Sequence, residues 1–166
     1  MKIVSSFSLD LELLDLALKH ISVLTGLKKD VNRNDVNLFI GLDLLSHLTS
    51  ILLNYKVTLG SKVVQCHDLL QAKNKLVVTT CVILSNILCE ADSDSLDLAF
   101  LEKAVKPLFF TEECPKILKL ELLTVFCNSI RNTNAVSRKL LVYLLDQCDL
   151  VPMVCEGLKI AEQNQQ

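Results

Sequence analysis

The sequence predicts an all-helical chain, and three observations carry that prediction. Leucine fills 35 of the 166 positions, and leucine loses little rotamer freedom on entering a helix. Glycine and proline number only 4 and 3, whereas an all-β sandwich or barrel needs turn residues every ~8–12 positions. Apolar residues recur at spacings of three and four along several segments, the period of one helix face. With 51% hydrophobic residues and a mean hydropathy of +0.40, the chain is too apolar for disorder. Its length suits a single domain, residues 1–166, around one core.

The elements follow in order. Ser8 is placed to cap a first helix, with Asp10 and Glu12 near its positive end. Leu9, Leu13, Leu16, Ala17, Ile21 and Leu24 form the apolar face, with Asp15 and Lys19 opposite; this amphipathic helix, residues 8–27, is expected to cap the domain. Lys28–Asp35 reads as a polar loop. Val36–Leu53 is apolar almost all round, which predicts a central helix. Gly60 and Ser61 punctuate before a short apolar segment, Lys62–Leu70. The β-branched residues of Leu76–Cys89 would suit a buried strand, but fourteen residues without a turn signal favour a helix. Ala91–Ser95 is a loop ending in a cap, Ser95, before a helix over Leu96–Lys103. Pro107 and Pro115 sit where proline opens a helix, the second starting Lys116–Arg131. Asn132–Asn134 breaks the chain, Ser137–Cys148 and Val151–Ile160 are the last helices, and residues 161–166 form a polar tail.

Composition also excludes function classes. A formal net charge of −2 gives no strong attraction to nucleic acid. The fourteen uncharged residues of Leu76–Cys89 fall short of the ~20 that a membrane-spanning helix needs, and Met1–Asp10 lacks a signal-like apolar run. The seven cysteines, Cys66, Cys81, Cys89, Cys114, Cys127, Cys148 and Cys155, are odd in number and lie inside apolar segments. They read as free core thiols in a reducing compartment, cytosol or nucleus. His20, His47 and His67 have no partner at a spacing that puts two imidazoles on one helix face, and no CxxC occurs. A Gly-rich phosphate loop, a nucleophile elbow and HExxH are likewise missing. No catalytic residue, metal or cofactor is therefore expected.

Self-comparison at periods near forty finds an internal pattern. Val82–Ile87 aligns with Thr124–Ser129, which sets Asn86 against Asn128, 42 residues on. At the same offset Ser95 meets Ser137, Leu98 meets Leu140 and Leu101 meets Tyr143. Ala104–Leu108 aligns with Asp149–Met153, and Lys62–Cys66 precedes Ala104–Leu108 by 42. Backwards, Asp43–Leu48 matches Val82–Ile87.

This pattern resembles the armadillo repeat, and most closely its importin-α branch, over roughly Val36 to Leu158. Ala104-Val105-Lys106-Pro107-Leu108 is close to that branch's middle-helix opening. Asn86, Asn128 and, in the first unit, His47 stand at the family's groove asparagine, while Val82, Thr124 and Asp43 stand at its groove tryptophan. The resemblance implies a right-handed armadillo/HEAT-like solenoid of three to four repeats spanning residues 36–158. It also implies a non-enzymatic scaffold that grips an extended, basic peptide in a concave groove, as a nuclear-import adaptor does. An amide suits such a groove because it pairs with both the N–H and the C=O of any extended backbone. Helical spacing adds Glu90, Glu121 and Asn132 to the same face. The bland alternative is that Asn86 and Asn128 bond between neighbouring helices. At the level of the molecule the alternative is an assembly subunit that docks through its end helices onto a partner or itself, since repeat stacks need their terminal faces covered.

Overall fold

A computed structural model describes residues 2–26, 37, 38, 40, 43–60, 67–91, 96–131 and 135–163. Among them the regular structure is all helix, with no strand. The helices are α1 (Lys2–Gly26), α2 (Leu44–Gly60), α3 (His67–Glu90), α4 (Lys106–Phe109, entered through one π-helical turn, Leu101–Val105), α5 (Lys116–Arg131), α6 (Ala135–Gln147) and α7 (Leu150–Gln163).

The segment that suits strand or helix on composition is the long helix α3. Leu76, Val77, Thr80, Cys81, Ile83, Leu84, Ile87 and Leu88 are all buried, a helical period that wins over β propensity because it fills the core. The hydroxyls of Thr79 and Thr80 donate to the carbonyls of Lys75 and Leu76, at 3.1 and 2.9 Å, so the polar β-branched residues are satisfied inside the helix. α3 is also the central element, packed by α1, α2, α5 and α6. The sequence assigned that place to Val36–Leu53; α2 instead lies against α3, α4 and the π-turn.

Several boundaries differ from expectation, each for a local reason. α1 begins at Lys2, so Ser8 lies within it and not at its start. Asp43 has φ 62° and stands outside α2, where it accepts a hydrogen bond from the Ser46 hydroxyl at 2.5 Å; a short carboxylate tolerates this left-handed turn. Asp149, with φ 55°, makes the same turn before α7. Leu96–Leu98 is not helical; Asp97 Oδ1 accepts the Ala99 N–H at 2.9 Å and starts the helix there. Pro107 stands at the start of α4 as expected, but α4 continues straight from the π-helical turn before it. Pro107 has no N–H for the carbonyl four residues back, and the chain accommodates this with the wide turn just before it, in which the Lys106 N–H donates to Leu101 O. Pro115 does open α5, its carbonyl accepting from the N–H groups of Leu118 and Lys119 at 2.9 and 3.1 Å. The loop Lys28–Asp35, the cap Ser95, the break at Asn132–Asn134 and the last residues of the tail lie outside the described residues.

Side-chain contacts fix the directions of the helices. Lys75 of α3 reaches Asp15 of α1, and Asn86, further along α3, reaches Ser22 and Thr25, further along α1. The charge of Glu121 on α5 is felt at Cys81 of α3, and Cys89 Sγ lies 4.0 Å from Ser129 Oγ, 40 residues apart in sequence. α1, α3 and α5 therefore run parallel, side by side. α7 runs against α5, joined by Lys116 to Gln163 at 2.6 Å and Lys119 to Glu156 at 3.4 Å. A second parallel pairing joins the segment around α4 to α6: Lys139 Nζ donates to Leu96 O, the Tyr143 hydroxyl to Glu102 and Lys106 Nζ to Gln147 O, at separations of 43, 41 and 41 residues. The core packed by these helices includes Leu48, Leu52, Ile83, Leu84, Phe109 and Phe126, all fully buried.

Candidate functional site

Val82, Asn86 and Glu90 lie on α3, and Glu121, Thr124 and Asn128 on α5, the helix that runs parallel beside it. Asp43 stands in a left-handed turn just before α2, off the helix face on which its alignment with Val82 depends. His47 lies in the first turn of α2, which packs against both α3 and α4. Asn132 lies outside the described residues.

The two asparagines sit differently. Asn86 Nδ2 donates to Ser22 O at 3.3 Å and to Thr25 Oγ1 at 3.1 Å. Thr25, buried at 1% exposure, passes its own hydroxyl proton back to Ile21 O at 2.9 Å. Asn86 thus ties the C-terminal turn of α1 to α3, which is the inter-helix role. The approach is tight: a Cβ on Gly26 would stand 3.3 Å from Asn86 Nδ2. Asn128 is exposed on α5. Thr124 is exposed, its hydroxyl donating to Leu120 O at 2.9 Å, and Val82 is 46% exposed. Glu90 and Glu121 are partly buried.

The open face of the row includes residues that sequence reasoning passed over. Val78 lies one turn before Val82 and is exposed with it, and Ile117, exposed at 64%, lies on the same stripe of α5 as Thr124 and Asn128. Lys75 and Arg131 are exposed on the same two helices. The face thus mixes exposed apolar residues, Val78 and Val82 of α3 and Ile117 of α5, with polar and charged ones. Its signal in the sequence is an apolar residue at a position where the helix wheel of α3 points away from Ile83, Leu84, Ile87 and Leu88.

Burial pushes the Cys81 thiol up to about 12, and Cys114 and Cys148 up to about 11, the opposite of what an attacking thiolate needs. Lys119, nearly buried, lies 5.5 Å from the centre of the Phe109 ring and pairs with Glu156; it cements α5 to α7. Among the described residues no three His, Cys, Asp or Glu side chains gather into a metal-binding group, and no helix is long and apolar enough to cross a membrane. A depression of about 510 Å³ along α6, lined by Arg138, Lys139, Val142, Tyr143, Asp146 and Gln147, holds no nucleophile–base pair. Comparison with known proteins found no matching family model, no similar curated protein and no similar solved structure.

Proposed function

We propose that this chain is a non-enzymatic interaction scaffold of helical-repeat, armadillo-like type, and that the open face of α3 and α5 holds an extended peptide. The observation that carries the reading is the parallel run of α1, α3 and α5. Antiparallel neighbours are the rule in an up-and-down bundle, whereas stacked repeats return each equivalent helix in the same direction. The pairings 40 to 43 residues apart match the period of 42 between Asn86 and Asn128. Asn128 offers its amide to a ligand backbone, and Val78, Val82 and Ile117 offer apolar contact to alternate side chains. Asn86 belongs to the scaffold, holding α1 in place. With Asp43 elsewhere, the preference for a basic peptide rests on Glu90 and Glu121, which Lys75 and Arg131 offset. The bound segment is recognised by its extended backbone and apolar side chains more than by its charge.

Fluorescence anisotropy of two labelled peptides tests the reading, one lysine-rich and one alternating apolar with polar residues. The alternating peptide is expected to bind, and Val82→Asp combined with Asn128→Ala to weaken it at least about tenfold, a loss of ~1.4 kcal/mol. Binding by neither peptide, or an affinity indifferent to that double substitution, overturns the site.

A further inference from the structure

α1 carries its apolar stripe on a side that is exposed among the described residues. Leu13, Leu16, Val23 and Leu24 are 58%, 53%, 60% and 44% exposed, and Ala17 and His20 between them are exposed as well. The helix meets α3 with its other side, through Asp15, Leu18, Ser22 and Thr25. Positions 13, 16, 20 and 23 alternate by three and four residues, the spacing of a coiled-coil seam. Ala17 and Leu24 widen the seam on one flank, and Glu12 and Lys19 border it on the other.

We propose that this stripe packs antiparallel against the same stripe of a second copy of the chain. Charge selects both the orientation and the register. With Leu13 set against the second copy's Leu16, Glu12 faces the second copy's Lys19, and the two-fold symmetry repeats that pair. A slip of one heptad in either direction sets Lys19 against Lys19 or Glu12 against Glu12. A parallel pair sets these charges against Ala17 and Leu24 and gains nothing from them. In the selected register the axis falls between residues 14 and 15, near the middle of the 25-residue helix, so the two helices overlap along nearly their whole length. Lys19 already bonds Asp15 at 2.6 Å; its three donors serve both acids. Among positions 13, 16, 20 and 23, His20 is the polar one, and a polar residue at a seam position fixes register at some cost in stability. The proposal stands independently of the peptide-binding face, which lies on α3 and α5.

Sedimentation equilibrium of the full chain reads the outcome, with circular dichroism confirming that each variant keeps its helix. The wild type is expected to dimerise in the micromolar range. Leu16→Asp buries a carboxylate from each copy in the seam and is expected to raise the dissociation constant at least about a hundredfold. Glu12→Lys alone and Lys19→Glu alone each weaken the dimer several-fold, and the two together restore it. Because positions 12 and 19 are exposed, these charge variants decide the question even where Leu16→Asp lowers helicity. A chain that stays monomeric, a dimer that tolerates Leu16→Asp, or a double exchange that fails to recover association overturns the proposal.

Discussion

Asn86 and the buried thiols show how far single residues can be read. An asparagine inside an apolar helix signals a polar contact, but the sequence cannot say whether that contact is a ligand or a neighbouring helix. The answer depends on Ser22 and Thr25, some sixty residues away, presenting a carbonyl and a hydroxyl to its amide. Removing the amide as Asn86→Ala is expected to cost about 1 kcal/mol and to speed amide exchange selectively in the last turns of α1; unchanged exchange there contradicts the contact. The thiols give a pH dependence. Cys81, Cys114 and Cys148 stay protonated in the folded chain up to about 12, 11 and 11, against an ordinary value of 9.0. Below pH 9 they are neutral whether folded or unfolded, and their contribution is fully present. As pH rises from 9 through 11 only the unfolded chain ionises, and stability is lost at on the order of 1 kcal/mol per pH unit for each thiol. Urea midpoints should therefore fall steeply above pH 9, and Cys81→Ala should make that fall shallower. Cys127 and Cys155, both exposed, are expected to react with iodoacetamide in the native chain well before Cys81, Cys114 and Cys148, as mass spectrometry can check.

At the scale of elements, helix existence was legible and helix orientation was not. The periodicity of α3, α5, α6 and α7 comes from a face that is buried, so pattern and fold agree. α1 has an equally clear pattern, with Leu13, Leu16, Ala17 and Leu24 together, yet it docks through the opposite side. There Leu11, Leu18 and Ile21 pack on the core, while Asp15 meets Lys75 and Thr25 meets Asn86 of α3. A hydrophobic stripe announces that something will cover it and does not name the cover. This inversion has a direct consequence. Leu18→Ala should cost about 2–4 kcal/mol in thermal or chemical unfolding. Leu13→Ala, in dilution low enough to keep the chain monomeric, should change stability by less than about 0.5 kcal/mol. Equal losses at both positions would mean that α1 packs the other way round. The boundaries missed in the sequence, Asp43 and the turn before Pro107, are backbone effects: a left-handed aspartate and a missing N–H leave little trace in a hydrophobic pattern.

For the whole molecule, the period of 42 in the sequence is close to the separation of 40 to 43 residues between the contacts that join α3 to α5 and the α4 segment to α6, whereas α1 meets α3 at separations of 61 and 64. The candidate face was legible to the extent that this regularity placed Val82, Thr124 and Asn128 on neighbouring helices. For Asp43 the match with Val82 does not carry over, because Asp43 stands in a left-handed turn outside α2, and the packing of α1 along α3 has no counterpart in the repeat pattern. Everything proposed for the face depends on α3 and α5 running side by side in the same direction, and one disulfide reads that directly. Cys89 Sγ lies 4.0 Å from Ser129 Oγ. In a chain with Cys127 and Cys155 replaced by serine, Ser129→Cys under mild oxidation should link to Cys89 in the native state, identified by peptide mass mapping, while the helical signal is retained. A folded chain in which Cys89 and the new thiol remain unlinked, or in which the new thiol bridges to another cysteine, would contradict the parallel arrangement and the face built on it.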